Sequence, residues 1–461
     1  MSAAQFAVQF SSASVAQVTA GRLLGADVPF SSVSTDSRSL EKDSLFVALQ
    51  GPNFDGHEYI QAAIERGAVA ALVSREINVP LPQVLVPDVL AGLSEFAHAW
   101  RMQFTFPVIG VTGSNGKTTT KEMIGSIMSQ LGNVHVTRGN LNNHIGVPLT
   151  LLELNASHQS AVIEMGANHR GEIAALAKLA VPNIGVVTNA GAAHLEGFGG
   201  MEGVALGKGE LYLALPDYGV AIINADDQYA QQWRTHCAAQ SIITFGIDAI
   251  ADFTAKNIAV HRDFTEFELQ TPHGSIAVVL PLAGKHNIRN ATGAAAAAYA
   301  AGAALEDIQA GLGAVCAVGG RLQLKPAIND AALIDDSYNA NPSSLRAGID
   351  SLTTLAGKHW LVLGEMLELG PDTARLHAEC GTYAKHAGIE KLFAVGALTQ
   401  HAINSFGEGA QWFASPDALI KSVQDEIASG ITVLIKGSRG SRLERVAAAL
   451  SVNAENKALT S

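Results

Sequence analysis

Short apolar runs alternate with longer segments of helical period through most of this chain. Residues 108–112, 161–164, 184–188 and 220–224 are runs of Val, Ile, Ala and Gly closed by Thr, Glu or Asn. Such runs read as strands buried on both faces, and their alternation with helical segments predicts a parallel sheet wrapped by helices. Residues 118–131 carry a helical pattern directly after the first run. A second alternating set has strand candidates at 331–335, 360–364, 392–395 and 431–435. With a helix over 416–429 that Gly430 stops, it predicts a Rossmann-like, doubly wound domain. Nearer the start, a strand at 44–50, a turn-rich stretch at 51–56, a helix over 59–67 and a strand at 68–74 read as a small mixed domain. Pro80, Pro82 and Pro87 crowd the next segment, which reads as a linker or domain edge.

The expected fold class is α/β with three domains. These are a small mixed α/β domain over 1–86, a central phosphate-loop, ATPase-like α/β domain over 87–323 and a C-terminal Rossmann-like domain over 324–461. A length of 461 residues agrees, at ~150 residues per domain. Hydrophobic residues make up 48% and charged residues 16%, which excludes a disordered chain. The net charge of −12 argues against nucleic acid and membrane surfaces as partners. It leaves small anionic ligands open, because local groups hold those. Residues 290–305 form the longest apolar run, shorter than the ~20 residues needed to cross a bilayer. No basic segment precedes an apolar core near the start. Cys237, Cys316 and Cys380 are too far apart in sequence for a zinc or redox pair and suit a reducing compartment. The expectation is a cytoplasmic protein without membrane insertion, and a monomer.

Gly113-Ser114-Asn115-Gly116-Lys117-Thr118-Thr119 lies between a strand candidate and a helix candidate, the setting of a phosphate-binding loop. Glycines let backbone N–H groups turn onto phosphates, and the helix N-terminus favours negative charge. Lys117 is placed to reach the β- and γ-phosphates, and the Thr118 hydroxyl to hold Mg²⁺. The match to the general pattern is incomplete, since Val111 stands where the first glycine is usual. No guanine-reading Asn-Lys-x-Asp turn is present; residues 224–227 lack the lysine. No dinucleotide Gly-x-Gly-x-x-Gly follows a strand either.

Polar residues also gather at other strand ends. Ligands of open α/β sheets bind at the carboxyl ends of strands, so Glu164 and His194 are candidate metal ligands. The bland alternatives are a solvated glutamate and a structural histidine. Asn287 and Asn290 open the alanine-rich segment, a position suited to capping a helix. Residues 436–439 read as an anion-binding turn or as a helix-start turn facing water.

The segments at 112–118, 164–169, 189–194, 208–210, 284–290, 320–321 and 335–342, in that order, resemble the Mur ligase family of ATP-dependent amide-forming enzymes. Residues 139–148, 194–199 and 338–342 resemble the member that adds D-alanyl-D-alanine to a UDP-muramoyl tripeptide. The resemblance implies that 1–86 binds the UDP end of the substrate through Asp36, Ser37 and Arg38, for which a plain β-turn is the alternative. It implies that 87–323 binds ATP and that 324–461 binds the dipeptide. Lys117, Lys208, His194 and Arg321 are then the catalytic candidates, with Thr118, Glu164, His194 and Lys208 holding Mg²⁺. The resemblance also implies a carbamate on Lys208, which otherwise reads as an exposed lysine near a helix start. Asn287, Asn290, Arg321 and Asp336 join the phosphate loop as nucleotide contacts. Asn140, Asn142, Asn143, Tyr338, Asn339 and Asn341 are the remaining substrate contacts. The chemistry implied is amide formation through an acyl phosphate. The sequence leaves open a different amide ligase on this scaffold, such as a folylpolyglutamate synthase, and a phosphate-loop ATPase acting as a switch.

Overall fold

The computed structural model describes residues 10–239 and 241–452. Residues 1–9 and 453–461, assigned above to the outer domains, lie outside the described residues. Three sheets of five or six strands follow one another along the chain, each wrapped by helices.

The first sheet has the order Arg22–Leu24, Gln83–Leu85, Ala68–Val73, Ser44–Val47, Ser32–Ser34. Its first pair is antiparallel and the rest are parallel. The proline-rich stretch is therefore not simply a linker: Gln83–Leu85 is an inner strand of this sheet. The prolines flank these three residues rather than interrupt them, so no ladder donor is lost. Asp88 then caps the helix Val89–Arg101 by accepting from the Leu90 and Ala91 N–H groups.

The central sheet is wholly parallel, in the order Ser241–Phe245, Val220–Asn224, Ile184–Val187, Val108–Thr112, Ser160–Glu164, Val134–Val136. The four runs read as buried strands are its four inner strands. Val108–Thr112 is the first of the six in sequence and lies where the winding changes direction, so its carboxyl end opens onto a crevice. The helix Lys117–Met128 starts there and packs against Lys285–Ala300. Ala294 to Ala298 are fully buried, which lets the helix lie close to its neighbours.

A three-stranded antiparallel sheet, Thr254–Val260, Thr265–Thr271 and Gly274–Leu280, was not expected from the sequence. It buries Phe267, Leu269, Val278 and Leu280 against the central core. The last sheet runs Gln323–Pro326, Ala332–Asp336, Ile431–Lys436, Lys358–Leu363, Lys391–Val395, Ala410–Phe413. Only its first pair is antiparallel. Among the described residues, no helix is long and apolar enough to cross a membrane.

Candidate active site

A cleft of about 730 Å³ lies where the central and C-terminal sheets turn their strand ends toward each other. The phosphate loop forms one wall. Gly116 is the N-cap of Lys117–Met128 with φ 78, and a Cβ there would sit 2.5 Å from Asn290 Oδ1. Both its left-handed backbone and this close approach call for glycine. Lys117 Nζ donates to the Gly113 and Ser114 carbonyls at 2.7 and 3.2 Å. Burial, with Arg321 nearby, pulls its pKa down to about 8, against the opposing pull of Glu164. An arriving phosphate would restore the charge.

Behind this wall, Thr118 Oγ1 and Thr120 Oγ1 on the helix and Glu164 Oε2 at the neighbouring strand end are buried without a hydrogen-bond partner. The other Glu164 oxygen accepts from Asn142 Nδ2 at 2.8 Å, and Lys121 Nζ stands 4.0 Å from Oε2, beyond hydrogen-bond reach. Glu164 is thus no solvated strand end. Buried polar atoms are nearly always satisfied, so the orphaned Thr118 hydroxyl at the start of the loop's helix and the orphaned Glu164 oxygen in the cleft wall are donors that suit a hard cation. Among the described residues, no group of three or more His, Cys, Asp and Glu could hold a metal ion.

Lys208 is buried within the helix Met201–Leu213, which excludes the alternative of an exposed lysine near a helix start. Its ammonium donates to the Ala167 carbonyl at 3.0 Å and lies 4.7 Å from the Phe198 ring centre. Burial, reinforced by Lys117, pulls its pKa down to about 7. Gly207 beside it has a local reason: a Cβ there would stand 2.4 Å from the Phe198 ring. His194 lies in the left-handed region at φ 55, and its Nδ1 pairs with Glu368 of the C-terminal domain. Burial lowers the His194 pKa despite that carboxylate.

From the far wall, Arg321 lies over the Tyr338 ring at 4.2 Å. Asp336 is buried and paired with Lys436, so the turn at 436–439 begins with a lysine committed to the fold. Burial raises the Asp336 pKa against the pull of Lys436. Asn341 caps the helix Pro342–Thr353 through the Ser344 N–H and also donates to Asn115 Oδ1 at 2.7 Å. Asn115 Nδ2 in turn donates to Ser343 Oγ at 2.9 Å. The phosphate loop and the C-terminal helix are therefore bonded directly to each other.

Gly116, Lys117, Ser114, Asn115, Thr119, Asn142, Asn143, Glu164, His194, Asn287, Asn290, Arg321, Asp336, Tyr338, Asn339 and Asn341 all line this cleft. Asn287 and Asn290 sit inside the helix Lys285–Ala300, whose N-cap is Gly284; Asn287 Nδ2 donates to the Ala283 carbonyl at 2.8 Å. Asn143 Oδ1 accepts from the Ile145 and Gly146 N–H groups, so it also shapes the turn. Gly113, Thr118, Asn140 and Lys208 are not among the lining residues. Asp36, Ser37 and Arg38 form a turn elsewhere, in the first domain, where Arg38 Nε donates to Asp36 Oδ1 at 2.9 Å. That pairing holds Asp36 down at about 2.

Sequence reasoning missed several lining residues. Ser343 carries no local signal, whereas Lys436 reads only as part of the turn at 436–439. Asp226 accepts from the Ile247 N–H and from Arg289 Nε, while Asp227 accepts from the Ala190 N–H. Two adjacent aspartates after a buried strand were the available clue. His286, in the segment 284–290, has a buried Nε2 without a partner, and burial pulls its pKa down to about 4.

Models of three consecutive units match this chain: "Mur ligase family, catalytic domain" at 29–105, "Mur ligase middle domain" at 111–298 and "Mur ligase, glutamate ligase domain" at 320–439. The chain is 45% identical over 436 residues to the UDP-N-acetylmuramoyl-tripeptide–D-alanyl-D-alanine ligase of Escherichia coli, covering 94% of this chain and 96% of that protein. The Bacillus subtilis enzyme of the same name is 36% identical, with 90% and 92% covered. A crystal structure of MurF from Acinetobacter baumannii superposes with a TM-score of 0.88 at 36% identity, covering 94% of this chain and 97% of that one. Thermotoga maritima MurF ligase in complex with ADP gives 0.80 at 27%, with 91% and 96% covered.

Proposed function

The chain belongs to the Mur ligase family, and from its cleft we infer how an ATP-dependent ligase joining D-alanyl-D-alanine to UDP-N-acetylmuramoyl-tripeptide works here. It is a ligase of peptidoglycan precursor synthesis, and it uses ATP. The single observation that carries the mechanism is the pair of orphaned oxygens, Thr118 Oγ1 and Glu164 Oε2, beside Lys117.

The substrate carboxylate oxygen attacks the γ-phosphorus, an O–P bond forms, and the bond to the ADP oxygen breaks. The dipeptide amine then attacks the acyl carbon, forming a C–N bond and a tetrahedral intermediate; the C–O bond to the phosphoryl group breaks, and the departing phosphate takes up the proton that the amine loses. Both steps gather negative charge on phosphoryl or carbonyl oxygens, so positioning and neutralisation dominate. Lys117 leaves the loop carbonyls and turns to the β- and γ-phosphates. Arg321, held over Tyr338, neutralises charge from the opposite wall. Asn287 and Asn290 face the base, and Asp336, already neutralised by Lys436, offers an acceptor to the ribose. Thr118, Glu164, His194 and Lys208 would hold Mg²⁺, which would supply neutralisation of the negative charge on the phosphates.

A pKa near 7 supplies the neutral amine that attacks CO₂, forming an N–C bond and releasing a proton. The resulting carbamate turns Lys208 into an oxygen donor. NMR of enzyme kept in isotope-labelled bicarbonate tests this, and absence of a carbamate signal removes Lys208 from the ligand set. Asp36, Ser37 and Arg38 contact the UDP end in the domain over 1–86. The central unit over 87–323 takes ATP and the last, 324–461, takes the dipeptide with Tyr338, Asn339 and Asn341; Asn140, Asn142 and Asn143 face the tripeptide. The enzyme works as a cytoplasmic monomer, which light scattering of the purified chain checks for mass.

Phosphate release tests the reading as a whole. It is expected only when ATP, the UDP-muramoyl tripeptide and D-alanyl-D-alanine are all present. Turnover indifferent to the dipeptide would overturn it.

A further inference from the structure

The loop after the strand Lys358–Leu363 crosses from the C-terminal domain and docks on the segment that carries His194. Glu368 pairs through Oε2 with His194 Nδ1, and its carbonyl accepts the Glu196 N–H at 3.3 Å. Leu195, between them, packs into a hydrophobic cluster of the C-terminal domain. A Cβ on Gly370 would lie 3.6 Å from Glu196 Cα, so the two backbones are in close contact. His194 and Glu368 are both non-glycine residues in the left-handed region, at φ 55 and 61. Such backbone persists only where surrounding contacts hold it, and it clusters at working sites. The Glu368 side chain is 52% exposed, so it is not there to fill a core.

A neutral imidazole has one N–H. If Nδ1 gives that proton to a carboxylate, Nε2 keeps its lone pair and the ring plane is fixed. We propose that Glu368 is a positioning residue lent by the C-terminal domain, locking His194 as the Nδ1–H tautomer so that Nε2 serves the cleft only while the two domains are docked. This rests on the reading of His194 as a cleft ligand. Completion of the ligand set then depends on the domain that brings the dipeptide, which discourages phosphoryl transfer when that domain is away.

Nitrogen NMR of isotope-labelled histidine, recorded without metal, reads the tautomer. The wild-type chain is expected to show His194 as Nδ1–H. Glu368→Ala is expected to move it toward Nε2–H and to raise the half-saturating Mg²⁺ concentration for turnover by about 10–100-fold. Glu368→Gln, whose amide oxygen still accepts from Nδ1, is expected to recover most of both. In a His194→Ala background, Glu368→Ala is expected to add nothing. A wild-type tautomer or an unchanged Mg²⁺ requirement in Glu368→Ala overturns the proposal. If His194→Ala also leaves the Mg²⁺ requirement unchanged, the reading of His194 itself has failed. If His194→Ala raises it and Glu368→Ala does not, only the role of Glu368 has failed.

Discussion

The central and C-terminal sheets are both six-stranded and both carry acidic residues at their strand ends, yet those ends are finished differently. At the C-terminal sheet the charges are neutralised within the fold: Asp335 accepts from Lys325 at 2.7 Å and from Ser337 Oγ at 2.6 Å, and Asp336 pairs with Lys436. At the central sheet Glu164 Oε2 has no hydrogen-bond partner and only the Lys121 ammonium at 4.0 Å, the Thr118 hydroxyl has no hydrogen-bond partner, and Lys117 has only its own loop to bond. Charge balanced inside a domain reads as scaffold. Buried polar atoms left unbalanced, where most are satisfied, read as places kept for a ligand.

The contrast is sharpest for the two sheets' lysines. Lys117→Ala removes a cation that bonds only its own loop and whose partner, on the proposed mechanism, arrives with the substrate. Turnover is expected to fall by at least about 10³-fold with little loss of folding stability, as steady-state kinetics and thermal unfolding would reveal. Near-normal turnover would break the comparison at its strongest point. Lys436→Met removes a cation whose partner is already present. It leaves Asp336 buried and unpaired, at an expected cost of about 3–5 kcal/mol in denaturant unfolding. Restoring most of that stability by adding Asp336→Asn would sharpen the assignment of this pair to the scaffold.

A smaller effect follows from His286, between the two sheets. Its folded-state pKa is depressed to about 4 from 6.5 by burial, with Lys436 and Arg289 nearby. The unfolded chain therefore takes up this proton at higher pH than the folded one. Stability from this site is intact above pH 6.5 and is lost as pH falls toward 4. His286→Asn is expected to flatten that part of the curve, read as the difference between wild-type and variant unfolding at neutral pH and near pH 4.5. Parallel curves would show that the imidazole is not held neutral.

Strands buried on both faces were legible because apolar runs closed by a single polar residue have few other readings. That is why Thr112, Glu164 and Asn224 could be set at strand ends. The antiparallel sheet was not legible. Thr254–Val260 buries little of its length and bulges between Lys256 and Ala259, so its alternation is broken. Lys208 was legible through the family resemblance alone, because its burial has no local signature: its helix is buried on most of its sides, and a lysine flanked by Gly207 and Gly209 looks exposed. Lys436 and Asp336 are 100 residues apart, and Asn115 and Asn341 are 226 apart. Pairings of that kind exist only once the sheets are laid side by side, and no local pattern announces them.

The central claim, that the central sheet keeps its unbalanced oxygens for a cation beside the nucleotide, is met most directly by Mn²⁺ binding. Spin resonance would follow Mn²⁺ uptake in the presence of a non-hydrolysable ATP analogue, comparing wild type, Glu164→Gln and, as the scaffold control, Lys325→Ala. The account predicts affinity about 10–100-fold weaker in Glu164→Gln and unchanged in Lys325→Ala. Wild-type affinity in Glu164→Gln, or an equal loss in both variants, would contradict it.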